Sequence, residues 1–369
     1  MPISVNGANG ITFADGSIQN TGATGFGFKN RIINGAMVID QRNAGASVTP
    51  TADTYTLDRW TNGMSQASKM TIQQSSTVPS GFSKSLSVTV ASAYTPSASE
   101  WFGFFQKIEG FNSADFGFGA AGASTVTISF WVRSSITGSY GFSLSNASQN
   151  RSYPVLYTVN SANTWEQKTI TIAGDTSGTW VGGTNGIGLI CIWSLGAGST
   201  YQQTANAWGT GLGLGTTGQT NWITNAGATF YITGVQLERG STATSFDYRP
   251  YTTELALAQR YFISLSNVTN SSPMGNGYQQ AALTTSVIVT YLPVSMRTSP
   301  TATFQNLYIT DNTSHSQTCS SIQGMHVGGN LVIYTNWIHS SGGTAFRPCS
   351  LQAINGTVGN CFLNFSAEL

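Results

Sequence analysis

Val126-Thr127-Ile128-Ser129-Phe130-Trp131-Val132 alternates strictly: Val126, Ile128, Phe130 and Val132 fall on one face, and Trp131 falls on the other. A period of two with β-branched and aromatic residues is the signature of a half-buried strand. Similar runs recur at residues 69–73, 85–90, 140–144, 168–172, 188–193 and 229–237, with turn residues between them. Many short strands joined by Gly-rich turns predict an all-β chain whose central part is a two-sheet sandwich of the jelly-roll type.

The pattern resumes after residue 262, at 283–291, 301–309, 329–334, 344–354 and 361–365, and predicts a small C-terminal β-sandwich. Pro293, Pro300 and Pro348 limit strand ends or edges. One helix interrupts the strands, over Thr252 to Ser264. Pro250 precedes it, Thr252 or Thr253 can cap it, and Glu254 suits its positive start. Leu257 and Tyr261, and Ala258 and Phe262, lie at i,i+4 spacing on it. So short a helix needs a surface to pack on. At the other end, Ile11 to Ala14 and Ser17 to Gln19 flank an Asp15-Gly16 turn, a hairpin too small to stand alone. Gly22 to Gly27 reads as a joint. The expected organisation is an attachment segment over 1–30, a jelly-roll domain over 31–250, a linking helix over 251–264 and a C-terminal domain over 265–369.

Composition narrows the function. Of 369 residues only 8% are charged, against roughly 25% in an ordinary soluble domain. The net charge is +1 and no basic run exists, so nucleic-acid binding and a polybasic membrane contact lack their footprint. No apolar run is long enough to span a membrane, and no secretory signal is read at the N-terminus. Cys191, Cys319, Cys349 and Cys361 form no CxxC motif. They read as free thiols, with a Cys349–Cys361 bridge as the alternative. No metal or cofactor signature is present.

Catalysis finds little support. Glycoside hydrolysis uses two carboxylates at a set separation, and the 14 acidic residues offer only Asp53/Asp58 and Glu100/Glu109. Asp58-Arg59-Trp60 reads better as an Asp–Arg contact locking a strand start. His315, His326 and His339 stand alone, and neither HExxH nor GxSxG occurs. The chain is read as non-enzymatic. Sugar binding would use aromatic platforms beside hydroxyls and amides. Trp101, Trp180, Tyr201, Trp208, Trp222, Tyr308, Trp337 and His339 are the candidates. Tyr201 and Trp208 sit inside a long Gly/Thr-rich insertion, residues 196–220, and such ordered loops often carry function.

Three segments also carry a family resemblance. The first is Lys29-Asn30-Arg31-Ile32-Ile33-Asn34-Gly35-Ala36-Met37, followed by Asp40-Gln41-Arg42 and Asp58-Arg59-Trp60. The second runs from Gln236-Leu237-Glu238-Arg239-Gly240 through Ser245-Phe246-Asp247-Tyr248-Arg249-Pro250-Tyr251 to Gln259-Arg260-Tyr261-Phe262. The third is Leu292-Pro293-Val294-Ser295-Met296-Arg297-Thr298-Ser299-Pro300. Together with the leader Gly10 to Thr21, they resemble bacteriophage tail fibre and virion structural proteins. The resemblance implies a carbohydrate-binding-module-like jelly roll, a linking helix and a small C-terminal domain in a homotrimer. It implies attachment to a tail or baseplate protein through the N-terminal segment. The distal part would bind bacterial surface polysaccharide or lipopolysaccharide without cleaving it. The protein would then reside in the virion, outside the cell after lysis. Two other readings stay open: an architectural baseplate or capsid-decoration protein, and a tailspike depolymerase. The matched residues have a plain structural role too. Pro250 stops the strand, Leu257 and Tyr261 form a packing face, and Arg239, Asp247 and Arg249 pair to fix the junction.

Overall fold

The computed structural model describes residues 4–6, 10–12, 18–19, 28–266, 273–282, 284–311, 316–328, 331–340, 344–354 and 361–369. Strands dominate, and all ladders between them are antiparallel among the described residues. The all-β expectation holds.

Two sheets build the central sandwich. One has seven strands, in the order Gly209–Thr210, Arg151–Val159, Gly138–Ser145, Ile187–Ala197, Trp101–Glu109, Trp60–Met64, Tyr55–Leu57. The other has five: Glu166–Ile172, Val126–Ser134, Thr229–Arg239, Ser85–Val90, Met70–Ser75. In Val126–Ser134 the alternating set Val126, Ile128, Phe130 and Val132 is fully buried, while Trp131 faces outward half-exposed. Between the sheets the rings interlock. Phe104 stacks on Trp193 at 5.6 Å, and Trp60, Phe130 and Phe142 meet Trp193 at 4.9–5.7 Å. Edge-to-face contacts of this kind add to the burial of large apolar area.

Strands Trp101–Glu109 and Arg151–Val159 escape the period-two reading. Phe102, Phe104 and Phe105 are all buried, because the first strand packs apolar groups on both faces. Pro154 sits in the second, where the neighbouring strand Gly209–Thr210 pairs only with Arg151 and Ser152 and demands no N–H from the proline.

The helix is shorter than the spacing predicts. It spans Tyr251–Gln259, starting from Pro250, whose carbonyl accepts the N–H groups of Thr253 and Glu254 in place of a threonine cap. Residues 262–264, expected as helix, belong to strand Phe262–Ser266, paired with Phe362–Ser366. Phe262-Ile263-Ser264-Leu265 alternates, and the sheet partner outweighs a marginal helical spacing. Leu257, half-buried, and Tyr261, fully buried, join Ile33, Ile39 and Ala258 in a small core of their own.

The C-terminal strands, expected as a small sandwich, close instead into a six-stranded barrel. Its order is Pro273–Gln279, Thr285–Tyr291, Val332–His339, Ser316–Gly328, Leu307–Thr310, Pro348–Ala353. The 13-residue strand Ser316–Gly328 makes this feasible, since two register shifts along it bend the sheet. Asn306, at positive φ, breaks the run 301–309 into two strands. Thr301–Gln305 then pairs with Phe362–Ser366 outside the barrel. All four cysteines are free thiols in buried positions. At the N-terminus, Gly10–Thr12 pairs with Ile18–Gln19, as the hairpin reading expects, and Ser4–Asn6 adds a third strand. The Asp15-Gly16 turn, the joint at 22–27 and His315 lie outside the described residues.

A charged junction ties the C-terminal region, through the sheet outside the barrel, to the sandwich. Arg59 is buried and pairs with Glu368, which also takes Arg42 at 2.7 Å. Glu109, buried, accepts from Arg260 at 2.7 Å and from the Tyr261 hydroxyl at 2.6 Å. Arg297 donates to the Ala367 and Glu368 carbonyls. The expected Asp58–Arg59 contact does not form. Asp58 accepts from the backbone and side-chain N–H groups of Gln41 instead.

Candidate functional site

Two of the aromatic candidates meet. Trp180 and Trp208 come from separate loops and pack edge-to-face at 5.5 Å. Phe118 joins both, at 4.9 and 5.7 Å, and Tyr153 meets Trp208 at 5.3 Å. All four rings are half-buried and rest on the rim of the main core. Polar contacts fix them. Asp175, buried, holds Arg151 through two bonds of 2.8 and 2.7 Å, and its Oδ2 also accepts the Trp180 indole N–H at 3.3 Å. That carboxylate raises the Arg151 pKa. The Trp208 indole donates to the Ala173 carbonyl at 2.7 Å. Such two-point anchoring fixes the loop geometry better than a single ion pair.

Beside Trp208 lies an open groove of about 430 Å³, lined by Gln203, Thr204, Ala207, Gly209 and Thr210. Half-exposed rings next to amide and hydroxyl groups suit a ligand with one apolar face and a fringe of hydroxyls. A pyranose is such a ligand. Phe118 and Tyr153 carry no distinguishing signal in the sequence. Only their placement beside Trp180 and Trp208 marks them.

The other candidates go elsewhere. Trp222 and Trp337 are fully buried, one in each major core, and have no surface to offer a glycan. Both positions were ambiguous because a core tryptophan and a platform tryptophan look alike in a Gly/Thr-rich chain. Trp101 and Tyr201 join a small cluster with Phe105, Ile190, Ile192 and Leu214. This is how the insertion at 196–220 lies down on the outer face of the seven-stranded sheet. Gly141 admits it there, since a side chain at that position would strike the Leu214 carbonyl. Tyr308 is half-buried and bonds Gln352, beside a shallow groove with Ser316 and Thr318. His339 is buried, with Nε2 2.9 Å from the Ser286 hydroxyl.

The carboxylate pairs are each engaged in local contacts. Asp53 accepts the Met64 N–H. Glu100 takes Ser97, Gln66 and Tyr94, and these bonds, led by the Ser97 N–H, hold its pKa down at about 2. Asp58 is sealed, and burial pushes its carboxyl up to about 6. Glu109 belongs to the junction. Among the described residues no group of three or more His, Cys, Asp or Glu side chains is arranged to hold a metal ion.

The three residues expected to pair with one another at the junction do not, and only Arg249 forms an ion pair elsewhere. Arg249 donates to Glu254 at 3.0 Å and to the carbonyls of Asn30 and Ile32. Asp247 receives only a long contact, 3.4 Å, from the Asn30 N–H. Arg239 lies exposed at the end of strand Thr229–Arg239 and pairs with neither.

No protein-family model and no curated protein matches the chain. Several solved structures are similar at low identity. The enzymatically active domain of bacteriophage CBA120 tailspike protein 4 is 13% identical over 57% of this chain, with a TM-score of 0.32; the match spans 22% of that chain. TmCBM61, solved with beta-1,4-galactotriose, is 12% identical over 58% of this chain and all of its own, with a TM-score of 0.30. The family 11 carbohydrate-binding module of the cellulosomal cellulase Lic26A-Cel5E of Clostridium thermocellum is 12% identical over 55% of this chain and 99% of its own, with a TM-score of 0.27. Likenesses at this level carry no functional argument; the sandwich is established by the sheets themselves.

Proposed function

We propose that this chain is a virion protein of a tailed phage, a tail-fibre or receptor-binding subunit that attaches without catalysis to a bacterial surface glycan. The observation that carries the reading is the convergence of Trp180 and Trp208 with Phe118 and Tyr153 beside an open polar groove. The residue-level resemblance of 29–42, 236–262 and 292–300 to phage fibre proteins supports the virion setting. In this reading the N-terminal segment docks on a tail or baseplate protein and three copies assemble. Three weak sites on one body then reach useful avidity.

The test pairs mass with binding. Light scattering should give about three times 39.0 kDa. Surface polysaccharide or lipopolysaccharide from the host should bind the assembled protein and release no short sugars. Trp208→Ala should weaken binding at least about tenfold with the mass unchanged, as expected for an anchoring aromatic. A monomer that binds no glycan would overturn the proposal in favour of an architectural protein. Released oligosaccharides would overturn it in favour of a depolymerase.

A further inference from the structure

A second cavity, also about 430 Å³, shares no lining residue with the Trp208 groove. It opens between segments 30–38, 81–83 and 246–254. Its volume falls within the roughly 300–1,000 Å³ of small-molecule sites. One side is aromatic. Phe82, Phe246 and Tyr248 pack on each other with centroids 4.8–5.5 Å apart. Rings this close leave no room for a cation among them, so they form a wall and not a cage. The wall is built into the sandwich. Gly234 has φ +61°, and a Cβ there would lie 2.6 Å from the Phe82 ring. The Tyr248 hydroxyl donates to the Gly81 carbonyl at 2.6 Å. Yet Tyr248 is 57% exposed, and Tyr251 beside it 59%.

Charge selects the ligand. The Arg249 guanidinium is engaged by Glu254 and by two backbone carbonyls, and the pair cancels. Asp247 has only the 3.4 Å contact at Oδ2, and its Oδ1 has no partner among the described residues. The lining therefore keeps one open negative charge and one open acceptor. The exposed Tyr248 ring, braced by Phe82 and Phe246 and set beside an open acceptor, fits a sugar whose C–H face lies on that ring and whose hydroxyl or ammonium donates to the carboxylate. A uronic or sialic acid would meet like charge.

We propose that this cavity is a second carbohydrate site, taking one neutral or amino-bearing pyranose and rejecting acidic ones. It goes beyond the Trp180–Trp208 reading and does not rest on it. The test is saturation-transfer NMR on the full chain with the methyl glycosides of glucosamine (amine protonated), glucose and glucuronic acid. Glucosamine and glucose should bind, with the glucuronide weaker by about threefold or more, the scale of an exposed charge contact. Trp208→Ala, which removes the other groove's platform, should leave transfer in place, and adding Tyr248→Ala to that variant should abolish it. Asp247→Asn, which keeps size and backbone contacts, should erase the preference among the three sugars. Equal binding of the glucuronide would overturn the proposal. So would transfer that survives Tyr248→Ala and disappears with Trp208→Ala, which places the sugar in the other groove. A chain that binds none of the sugars and changes mass on Tyr248→Ala would show a subunit contact instead.

Discussion

The inside of the sandwich and the junction below it are sealed by opposite means. Around Trp193 the contacts are rings and aliphatic groups from both sheets. At the junction Arg59 and Glu109 are buried with their charges, the Glu368 side chain is nearly so, and Arg42, Arg260 and Arg297 close over them. In a chain with 8% charged residues, that concentration is itself informative. Apolar packing sums many non-directional contacts, so one deletion leaves a cavity but keeps the pattern. Buried ion pairs depend on a few partners, and removing one strands the other. The sandwich should therefore weaken by degrees, and the junction should fail by uncoupling.

The largest effect should come from the core. Trp193→Ala should destabilise the sandwich by about 3–5 kcal/mol, the usual range for a buried large aromatic. Thermal melting followed by circular dichroism should show a fall of roughly 10 °C. A melt within experimental error of the parent would mean that the ring cluster is not what holds the sheets.

Glu368→Gln attacks the other side of the comparison. It leaves Arg59, 1% exposed, without its counter-charge. About 3 kcal/mol should be lost, read by calorimetry as a barrel transition that separates from that of the sandwich. If the two still melt as one, apolar contacts and not charges join them. Replacing both Arg59 and Glu368 by Met should recover most of the loss, because it removes the stranded charge as well.

The contrast also explains what the sequence could disclose. Val126 to Val132 reads as a strand because its partners are arranged by a period of two, a local property. The helix start at Pro250 is local as well. The junction is not. Arg59 meets Glu368 across 309 residues and Arg260 meets Glu109 across 151, and nothing near Arg59 points to residue 368. Barrel closure depends likewise on Pro348–Ala353 finding Pro273–Gln279. The candidate site was half legible. Trp180 and Trp208 stood out as aromatics in Gly/Thr-rich loops, but Trp222 and Trp337 stood out equally and proved to be core. Phe118, Tyr153 and the Phe82–Phe246–Tyr248 wall are defined by convergence alone.

The smallest of these effects isolates a single group at the junction's edge. Burial raises the Asp58 carboxyl from 3.8 to about 6, against the opposing pull of Arg42 and of the two Gln41 hydrogen bonds. The folded state thus keeps a proton that the unfolded chain gives up near pH 4. Between roughly pH 4 and 6 the native state binds more protons, so this group's contribution to stability falls as pH rises. It is most favourable below the unfolded value and levels off above the folded one. The total is at most about 3 kcal/mol, since a tenfold change in proton affinity is worth about 1.4 kcal/mol. Glu166, held at about 2, acts in the opposite sense and mostly below this window, losing stability as pH falls. The difference between parent and Asp58→Asn cancels it. Melting temperatures of the two should diverge between pH 4 and 6, with the Asp58→Asn variant relatively more stable at the upper end. A constant difference across that range would mean that Asp58 titrates normally and that the junction admits water.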